Sequence, residues 1–308
     1  MHLARLHGIF PPILTPLYED GQIDHDSLAR LVDHLVEGGV HGIWAMGTTG
    51  EFACFDADQR EAAIRTTVEA TRGRVPVIAC IGDASSLLAI EHGRRAARAG
   101  ADAVAVTPPY YFPNSQEELE DHFRAVQREL ERPLLLYHIP QTVKVKVEPG
   151  VVRRLAGDGV LVGLKDSQND LDWFRRVLVD ARADRVDLRC FLGTVSLIDL
   201  GVYVGGCGAI PGVANVAPEL CVGVYEAARR GEIATAAQLQ ERLMQTNRLS
   251  SVVRGASPAG SSIAAMKAVL ARRGIISTGV CRASFRTCTD EEARAAEEIV
   301  ASVEGVAV

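Results

Sequence analysis

Cysteine spacings typical of metal or redox sites are absent from this chain. Its 7 cysteines, at positions 54, 80, 190, 207, 221, 281 and 288, form no Cys-x-x-Cys pair. An odd number of cysteines in a chain of 308 residues is typical of reduced thiols in the cytosol. Histidines and carboxylates show no metal-ligand spacing either. We therefore expect no disulfide and no metal site.

The sequence also lacks a block of one charge and a long apolar segment. It has 33 Lys and Arg against 39 Asp and Glu, a net charge of −6, which argues against a nucleic-acid or anionic-membrane surface. The start of the chain, Met-His-Leu-Ala-Arg-Leu, has no apolar core of the kind that signal peptides have, and no apolar run is long enough to span a bilayer. We expect a cytoplasmic protein whose partners are small molecules, not nucleic acid or membrane.

Short apolar runs alternate with helix-period segments through most of the chain. Eight runs recur at intervals of about 20–35 residues, a period that fits a strand, a helix and two loops. They span 8–14, 42–46, 75–81, 103–106, 133–137, 160–165, 188–192 and 207–210. Because parallel strands need crossover helices and eight of them close a sheet, the alternation predicts a (β/α)8 TIM barrel. An open doubly wound sheet is the alternative, but no Gly-x-Gly-x-x-Gly follows the first run.

The helix-period segments between the runs often begin after Asp or Ser, which are good N-caps. They span 27–37, 56–71, 85–99, 116–130 and 171–179. Beyond about residue 216 the pattern predicts helices only, at 218–229, 233–250, 262–273 and 290–303. We expect a barrel at 1–216 and a helical extension at 217–308 that packs on its outside.

Lys165 ends the sixth apolar run, Val-Leu-Val-Gly-Leu-Lys. A strand that is apolar on both faces implies a parallel sheet covered by helices, and an amine buried there loses water, which lowers its pKa toward neutrality. A neutral amine is a nucleophile that forms Schiff bases with carbonyl substrates. The alternative is a lysine that reaches solvent or pairs with Asp166.

Polar side chains at other strand ends also suit carbonyl chemistry, since such barrels carry their active sites there. Gly-Thr-Thr-Gly-Glu at 47–51 offers hydroxyls and amides to a carboxylate, or is a plain turn in which Thr49 caps a helix. Tyr137 is a candidate general acid and base, or a buried tyrosine with a satisfied hydroxyl.

Three further features allow more than one interpretation. Tyr110 and Tyr111 follow a rigid Pro-Pro turn, and packing at a subunit contact explains at least one of them. The turn at Gly193 and the glycine-rich run at 205–208 are typical either of a phosphate site or of tight turns. His138 is either a second catalytic base or, as we favour, a hydrogen-bonded histidine behind the site.

Four motifs, in order and spacing, resemble those of the dihydrodipicolinate synthase/N-acetylneuraminate lyase family. They are Gly-Thr-Thr-Gly-Glu at 47–51, Pro-Tyr-Tyr at 109–111, Tyr-His-Ile-Pro at 137–140 and Gly-Leu-Lys-Asp-Ser at 163–167. The resemblance continues through 206–215 and the helical tail. It implies a (β/α)8 barrel, usually a homotetramer, in which Lys165 forms a covalent Schiff base with pyruvate or another 2-oxo acid and no separate cofactor is used.

The resemblance also implies roles for individual residues. Tyr137 would shuttle the proton, Thr48 would carry it onward, and Tyr111 would reach toward a neighbouring subunit's site. Substrate-binding positions by the same resemblance are Thr48, Thr49, Gly193 and Ile210. An iminium at Lys165 would draw electrons from the adjacent carbon, so breaking or forming the next carbon–carbon bond passes through a neutral enamine.

Departures from the family's subtypes bear on the substrate. Thr142 stands where dihydrodipicolinate synthases carry an arginine that grips a carboxylate, and residues 193–196 lack the acidic groups of N-acetylneuraminate lyases. Lys144 or Lys146 would replace the arginine's charge without its bidentate geometry. His138 replaces the family's usual asparagine.

We therefore expect a class I, Schiff-base aldolase or lyase that cleaves or forms a carbon–carbon bond of a short 2-oxo acid, with pyruvate as product or donor. The enzymatic alternatives are a 2-oxo acid dehydratase or hydratase-aldolase and 4-hydroxy-tetrahydrodipicolinate (dihydrodipicolinate) synthase itself. A noncatalytic 2-oxo acid sensor is the alternative from another class. The presence of Lys165, Tyr137 and both threonines argues against a sensor, which needs no proton relay.

Overall fold

In the computed structural model, which describes residues 3–282 and 284–304, short parallel strands form an 8-stranded sheet. The strands are Gly8–Ile9 (β1), Ile43–Ala45 (β2), Val77–Cys80 (β3), Ala103–Val106 (β4), Leu134–His138 (β5), Gly163–Asp166 (β6), Arg189–Leu192 (β7) and Gly208–Ala209 (β8). Their order is β1-β8-β7-β6-β5-β4-β3-β2. A parallel bridge between Pro12 and Trp44 joins the two ends of this order. The sheet therefore closes, and the predicted TIM barrel is confirmed.

Helices follow the strands and cover the sheet. Up to β8 the α-helices are His25–Glu37 (α1), Ala57–Thr71 (α2), Ser86–Arg98 (α3), Gln116–Glu129 (α4), Pro140–Val143 (α5), Pro149–Gly157 (α6), Leu171–Ala183 (α7) and Ile198–Tyr203 (α8). The predicted caps act as expected, because Asp56 and Ser115 each accept a hydrogen bond from the third backbone amide of the following helix. Helix α6 was not predicted, and it begins with Pro149 in the first turn, where a missing N–H costs nothing.

Helices also form the C-terminal part of the chain. They are Pro218–Arg229 (α9), Ile233–Met244 (α10), Pro258–Arg272 (α11) and Asp290–Glu304 (α12). Helix α10 is shorter than the predicted 233–250 because the chain tightens into a 3-10 turn at Gln245–Ser251. Helix α9 packs against β1 and α8, and α11 packs against the 3-10 turn. None of the described helices is both long and apolar enough to cross a membrane.

Several strands are shorter than the apolar runs that predicted them, for local reasons. The amide of Phe10 still donates to the carbonyl of Ala209, but Pro11 and Pro12 have no N–H to donate, so the ladder of β1 goes no further. In the sixth run the amide of Val160 donates to the carbonyl of Leu155 at the end of α6, not to a strand. Inward-facing apolar side chains such as Phe10 and Leu135 still pack inside the barrel.

Side chains alternate between two buried environments along β5 and β6. Tyr137 belongs to the apolar cluster inside the barrel, together with Trp44 and Phe191. Leu136 and Leu164 belong to the larger cluster between the sheet and its helices. This period of two places Lys165 inside, where its amine faces Tyr137 and Trp44, and leaves the neighbours of Tyr137 and Lys165 facing the helices.

Candidate active site

Lys165 lies in β6 near the carboxyl end of the barrel, directly opposite Tyr137 in the register of β5 and β6. Its residue is only 3% exposed. The Nζ atom lies 4.3 Å from the centroid of the Tyr137 ring and 5.0 Å from that of Trp44. The amine is therefore packed among aromatic faces at the place where the barrel opens.

Burial lowers the pKa of the Lys165 amine to about 7, and the nearby Cys80 acts weakly in the opposite direction. Within the described part of the chain, no carboxylate comes within ion-pair distance of this amine, since the carboxylate of Asp166 bonds to His138 on the other face of the sheet. Lys165 neither reaches solvent nor pairs with Asp166. A substantial neutral fraction at physiological pH makes it a competent nucleophile.

The hydroxyl of Tyr137 lies 3.1 Å from Thr48 Oγ1, within hydrogen-bond distance. Burial raises the pKa of the Tyr137 phenol well above its usual value, while hydrogen bonds with Thr48 and Ser167 lower it in part. The phenol therefore stays protonated at neutral pH. A protonated phenol in hydrogen-bond contact with a second hydroxyl has the geometry that proton transfer requires.

The turn that carries Thr48 and Thr49 is fixed by its backbone. Thr15 Oγ1 donates to the carbonyl of Gly50 at 2.7 Å, and Glu51 is held in the left-handed region at φ 59°. The following 3-10 turn has Glu51 at its N-cap, without a side-chain capping bond. Thr49 therefore caps no helix, and its hydroxyl remains available to a ligand in the cavity that Lys165 also lines.

Gly193 lies against the side chains of Lys165 and Ser167. A Cβ atom at this position would lie 2.0 Å from Ser167 Oγ and 2.8 Å from Lys165 Cε, so only glycine fits. Its amide donates to the carbonyl of Asp166 at 2.6 Å. Close packing beside Lys165, and not a phosphate site, explains this glycine.

One cavity of about 390 Å³ brings most of the predicted residues together. Predicted residues that line it are Thr48, Thr49, Tyr137, Lys165, Gly193 and Ile210. Ser167 of the motif at 163–167 and Thr194 of the turn at Gly193 also line it, and the polar residues that the sequence did not single out are Gln141, Asn169, Thr246, Asn247, Ser250 and Ser262. Lys165 is the one charged side chain among its described lining residues.

Tyr111 is the predicted site residue that lies elsewhere. It is 87% exposed, has a positive φ of 94° and stacks edge-on with the exposed Phe112. Both rings line a second, largely apolar cavity of about 490 Å³, which also includes Thr142 and Lys144. The two cavities share Thr48, so the second one adjoins the first at the hydroxyl that contacts Tyr137.

His138 lies behind the site and does not line either cavity. It is fully buried, and its Nδ1 atom lies 2.8 Å from Asp166 Oδ1. This placement is the one we favoured from sequence. Among the described residues, no group of three or more His, Cys, Asp or Glu side chains is suited to a metal ion.

The comparison with known families agrees with this geometry. A model of the Dihydrodipicolinate synthetase family matches residues 5–303. The chain belongs to this family. Its members are class I, Schiff-base, pyruvate-dependent aldolases and lyases, so the predicted carbon–carbon lyase is confirmed.

Three relatives show the range of the family. A solved dihydrodipicolinate synthase of Bacteroides thetaiotaomicron is 33% identical, with a TM-score of 0.90 over 96% of this chain and 98% of that one. The prophage protein YagE of Escherichia coli, solved in complex with pyruvate, is 25% identical, with a TM-score of 0.90 over 97% of this chain and 98% of that one. The probable 2-dehydro-3-deoxy-D-pentonate aldolase YjhH of Escherichia coli is 33% identical over 244 residues, 79% of this chain and 81% of the relative.

Proposed function

We propose that this family member is an aldolase in which Lys165 forms the Schiff base. It releases pyruvate from a 4-hydroxy-2-oxo acid whose remainder, the part from C4 onward, is uncharged. The observation that carries the proposal is the buried amine without a carboxylate partner, 4.3 Å from the ring of Tyr137. YagE, a relative, has been solved with pyruvate. No separate cofactor or metal takes part in the proposed reaction.

The proposed reaction begins when neutral Lys165 Nζ adds to C2 of the 2-oxo acid. Proton transfer to the former carbonyl oxygen lets it leave as water, which gives the iminium. Tyr137 then accepts the proton of the 4-hydroxyl as its own phenolic proton moves to Thr48 and the hydroxyl proton of Thr48 passes to water; the reverse transfer later supplies the proton for C3. The C3–C4 bond breaks, its electron pair forms the enamine, and the remainder leaves as an aldehyde. Protonation at C3 and addition of water release pyruvate and restore the amine.

The lack of a second cation among the described lining residues favours a substrate whose remainder is neutral. The hydroxyls of Thr48 and Thr49 are the donors that we assign to the substrate's own carboxylate. Farther out the described lining offers amides and hydroxyls, such as those of Gln141 and Asn247, but no cation. A second carboxylate, as in aspartate semialdehyde, would lose charge-assisted hydrogen bonds worth about 1.5–3 kcal/mol each. Hydroxyl groups would find partners of suitable polarity.

Each lysine considered as a substitute for an arginine at position 142 already has a partner. The amine of Lys144 donates to the carbonyl of Gln141 at 2.7 Å, and Lys144 lines the second cavity together with Thr142. Lys146 pairs with Asp170 at 3.2 Å on the surface. These contacts support cleavage of a 4-hydroxy-2-oxo acid over condensation with the semialdehyde.

We also propose a cytoplasmic homotetramer in which Tyr111 approaches the partner's site. In one chain the exposed rings of Tyr111 and Phe112 stand beside the apolar cavity that begins at Thr48. Light scattering at micromolar concentration tests the assembly. A monomer at that concentration contradicts it.

Borohydride trapping tests the central assignment. Pyruvate plus borohydride should add one reduced adduct to the Lys165 peptide, detected by mass spectrometry, and none in Lys165→Ala. A panel of 4-hydroxy-2-oxo acids, assayed by pyruvate release, then identifies the remainder. An unmodified Lys165 peptide, or equal labelling of the alanine variant, overturns the assignment.

A further inference from the structure

His138 uses both ring nitrogens on groups that lie outside the cavity. Its Nε2 atom accepts the backbone N–H of Val147 at 3.2 Å, so the ring proton is on Nδ1. Nδ1 therefore donates to Asp166 Oδ1 at 2.8 Å, and both side chains are fully buried. The imidazole joins the end of β6 to a segment that lies beyond the end of β5.

Trp173 of α7 completes the attachment. Its ring stacks on His138, with centroids 4.2 Å apart and planes 21° apart. Its Nε1–H donates to the carbonyl of Val147 at 3.1 Å. Both backbone groups of Val147 are therefore held by side chains, one from β5 and one from α7.

The segment that ends at Val147 borders both cavities. It runs from 139 to 147 and includes α5, the short helix at Pro140–Val143. Ile139 and Gln141 line the Lys165 cavity, and the next residues line the second one. Gln141 also donates to the carbonyl of Ser167 at 2.8 Å. A fixed Val147 thus determines where the mouth of the Lys165 cavity lies relative to β6.

We propose that His138 is a positioning residue that clamps residues 139–147 onto β6 through Asp166 and Val147 and so sets the fit of the substrate's distal part. The inference rests on the proposed function, because it takes the Lys165 cavity as the substrate site. Lys165 and Tyr137 themselves lie in the strand register of β5 and β6, independent of the segment. The clamp should therefore affect binding of the full 2-oxo acid more than imine formation with pyruvate.

Two substitutions at His138 separate its two hydrogen bonds. His138→Asn keeps a donor for Asp166, but its side chain ends one bond short of the Nε2 position that accepts the Val147 N–H, whereas His138→Leu loses both contacts. We expect His138→Leu to raise KM for the 4-hydroxy-2-oxo acid roughly tenfold, with the rate of pyruvate trapping changed less than about threefold. His138→Asn should raise KM by a smaller factor than His138→Leu, because it keeps the contact with Asp166.

Trp173→Phe provides a second variant if His138→Leu fails to fold, because it keeps an aromatic ring and removes the donor to Val147 together with part of the indole that stacks on His138. It should raise KM by a smaller factor than His138→Leu does, and it should speed hydrogen exchange at the Val147 amide. His122→Leu is the matched control, since His122 is a buried histidine on α4 whose partners, Ser86 and Thr107, lie outside the segment. It should leave KM unchanged.

The proposal is overturned if neither His138→Leu nor Trp173→Phe moves KM or the exchange rate of Val147, or if His138→Asn raises KM as much as His138→Leu does. A rise in KM with an equally large fall in the rate of pyruvate trapping would show a general loss of structure and would also overturn the proposal. Absence of pyruvate labelling in the native enzyme overturns the proposed function instead. Exchange at Val147 still reports on the clamp in that case.

Discussion

Lys165 in the barrel and Lys267 in the helical tail are both buried lysines, and they differ in what surrounds the amine. Lys267 Nζ forms an ion pair with Glu51 and donates to the carbonyl of Val280 at 3.0 Å. Lys165 Nζ lies against aromatic rings, and no described carboxylate pairs with it. Burial alone thus does not produce a nucleophile. A carboxylate within hydrogen-bond distance favours the charged amine, and its absence favours the neutral one.

The two lysines also serve different parts of the architecture. Glu51 ends the turn that carries Thr48, and its second oxygen accepts the amide of Arg282 at 2.9 Å. Lys267 therefore ties α11 of the tail to a turn at the barrel mouth. Lys165 makes no comparable tie. The same substitution at the two positions should accordingly have opposite effects on stability.

The largest expected effect is that of Lys165→Met, which should abolish turnover and pyruvate trapping while it stabilises the fold. The folded-state pKa of about 7 lies below the usual 10.5, so the unfolded chain binds a proton that the folded protein lacks between these values. The free energy of unfolding therefore rises with pH across this window, and the cost of burying Lys165 is greatest below pH 7. The methionine variant should gain on the order of 5 kcal/mol at pH 6 and roughly 2 kcal/mol at pH 9.

Urea denaturation of both proteins at the two pH values measures this gain. A fall in stability on substitution, or a gain that does not shrink as the pH rises, would contradict the idea of a desolvated amine. Activity assays on the same preparations should show no pyruvate release by the variant.

The opposite result is expected for Lys267→Met, which should destabilise the protein by about 3–5 kcal/mol because it leaves the Glu51 carboxylate buried without its partner. Adding Glu51→Gln should recover most of this loss, since a neutral amide can still accept the Arg282 N–H. Chemical denaturation of the single and double variants makes the comparison. Equal stability of the single variant and the native protein would show that the pair is dispensable.

Much of this comparison could not be derived from sequence. The strand period identified Lys165 and Tyr137, because a buried strand with a polar residue at its end is a local pattern. Lys267 lies in a helix, and its partner Glu51 is brought to it only by packing of the tail. Asn247 and Ser262 reach the cavity in the same way. The sequence around Lys267, Asn247 and Ser262 has no pattern that indicates a functional site.

The alternation of side chains along a strand does predict the direction that His138 faces. Since residues next to each other in a strand face opposite sides, the inward position of Tyr137 already predicts that His138 faces the helices. The close contact of Gly193 with Lys165 depends on the register of β6 and β7, which the chain's apolar runs do not specify. The exposure of Tyr111 in one chain agrees with its predicted place at a subunit contact, which remains a proposal.

An intermediate effect is expected at the group opposite Lys165. Tyr137→Phe should lower kcat on the order of 10²-fold, because it removes the proton relay to Thr48 and keeps the ring that packs on the amine. Pyruvate trapping on Lys165 should persist, which separates imine formation from proton transfer. Single-turnover kinetics with a 4-hydroxy-2-oxo acid measures the step. Near-native kcat would show that Tyr137 serves only as a packed ring.

The smallest expected effect concerns the surface lysines near the mouth, which resemble neither buried lysine. Lys144 bonds to a backbone carbonyl beside the second cavity, and Lys146 belongs to an exposed ion pair of a kind worth about 0–1 kcal/mol. Lys144→Ala and Lys146→Ala should each change kcat/KM for pyruvate release less than about twofold, and condensation with aspartate semialdehyde should stay weak in all three proteins. Both reactions are measured on one preparation of each. Strong condensation in the native enzyme that either alanine variant abolishes would show that this lysine replaces the missing arginine. Strong condensation that both variants keep would make the substrate argument from Thr142 wrong.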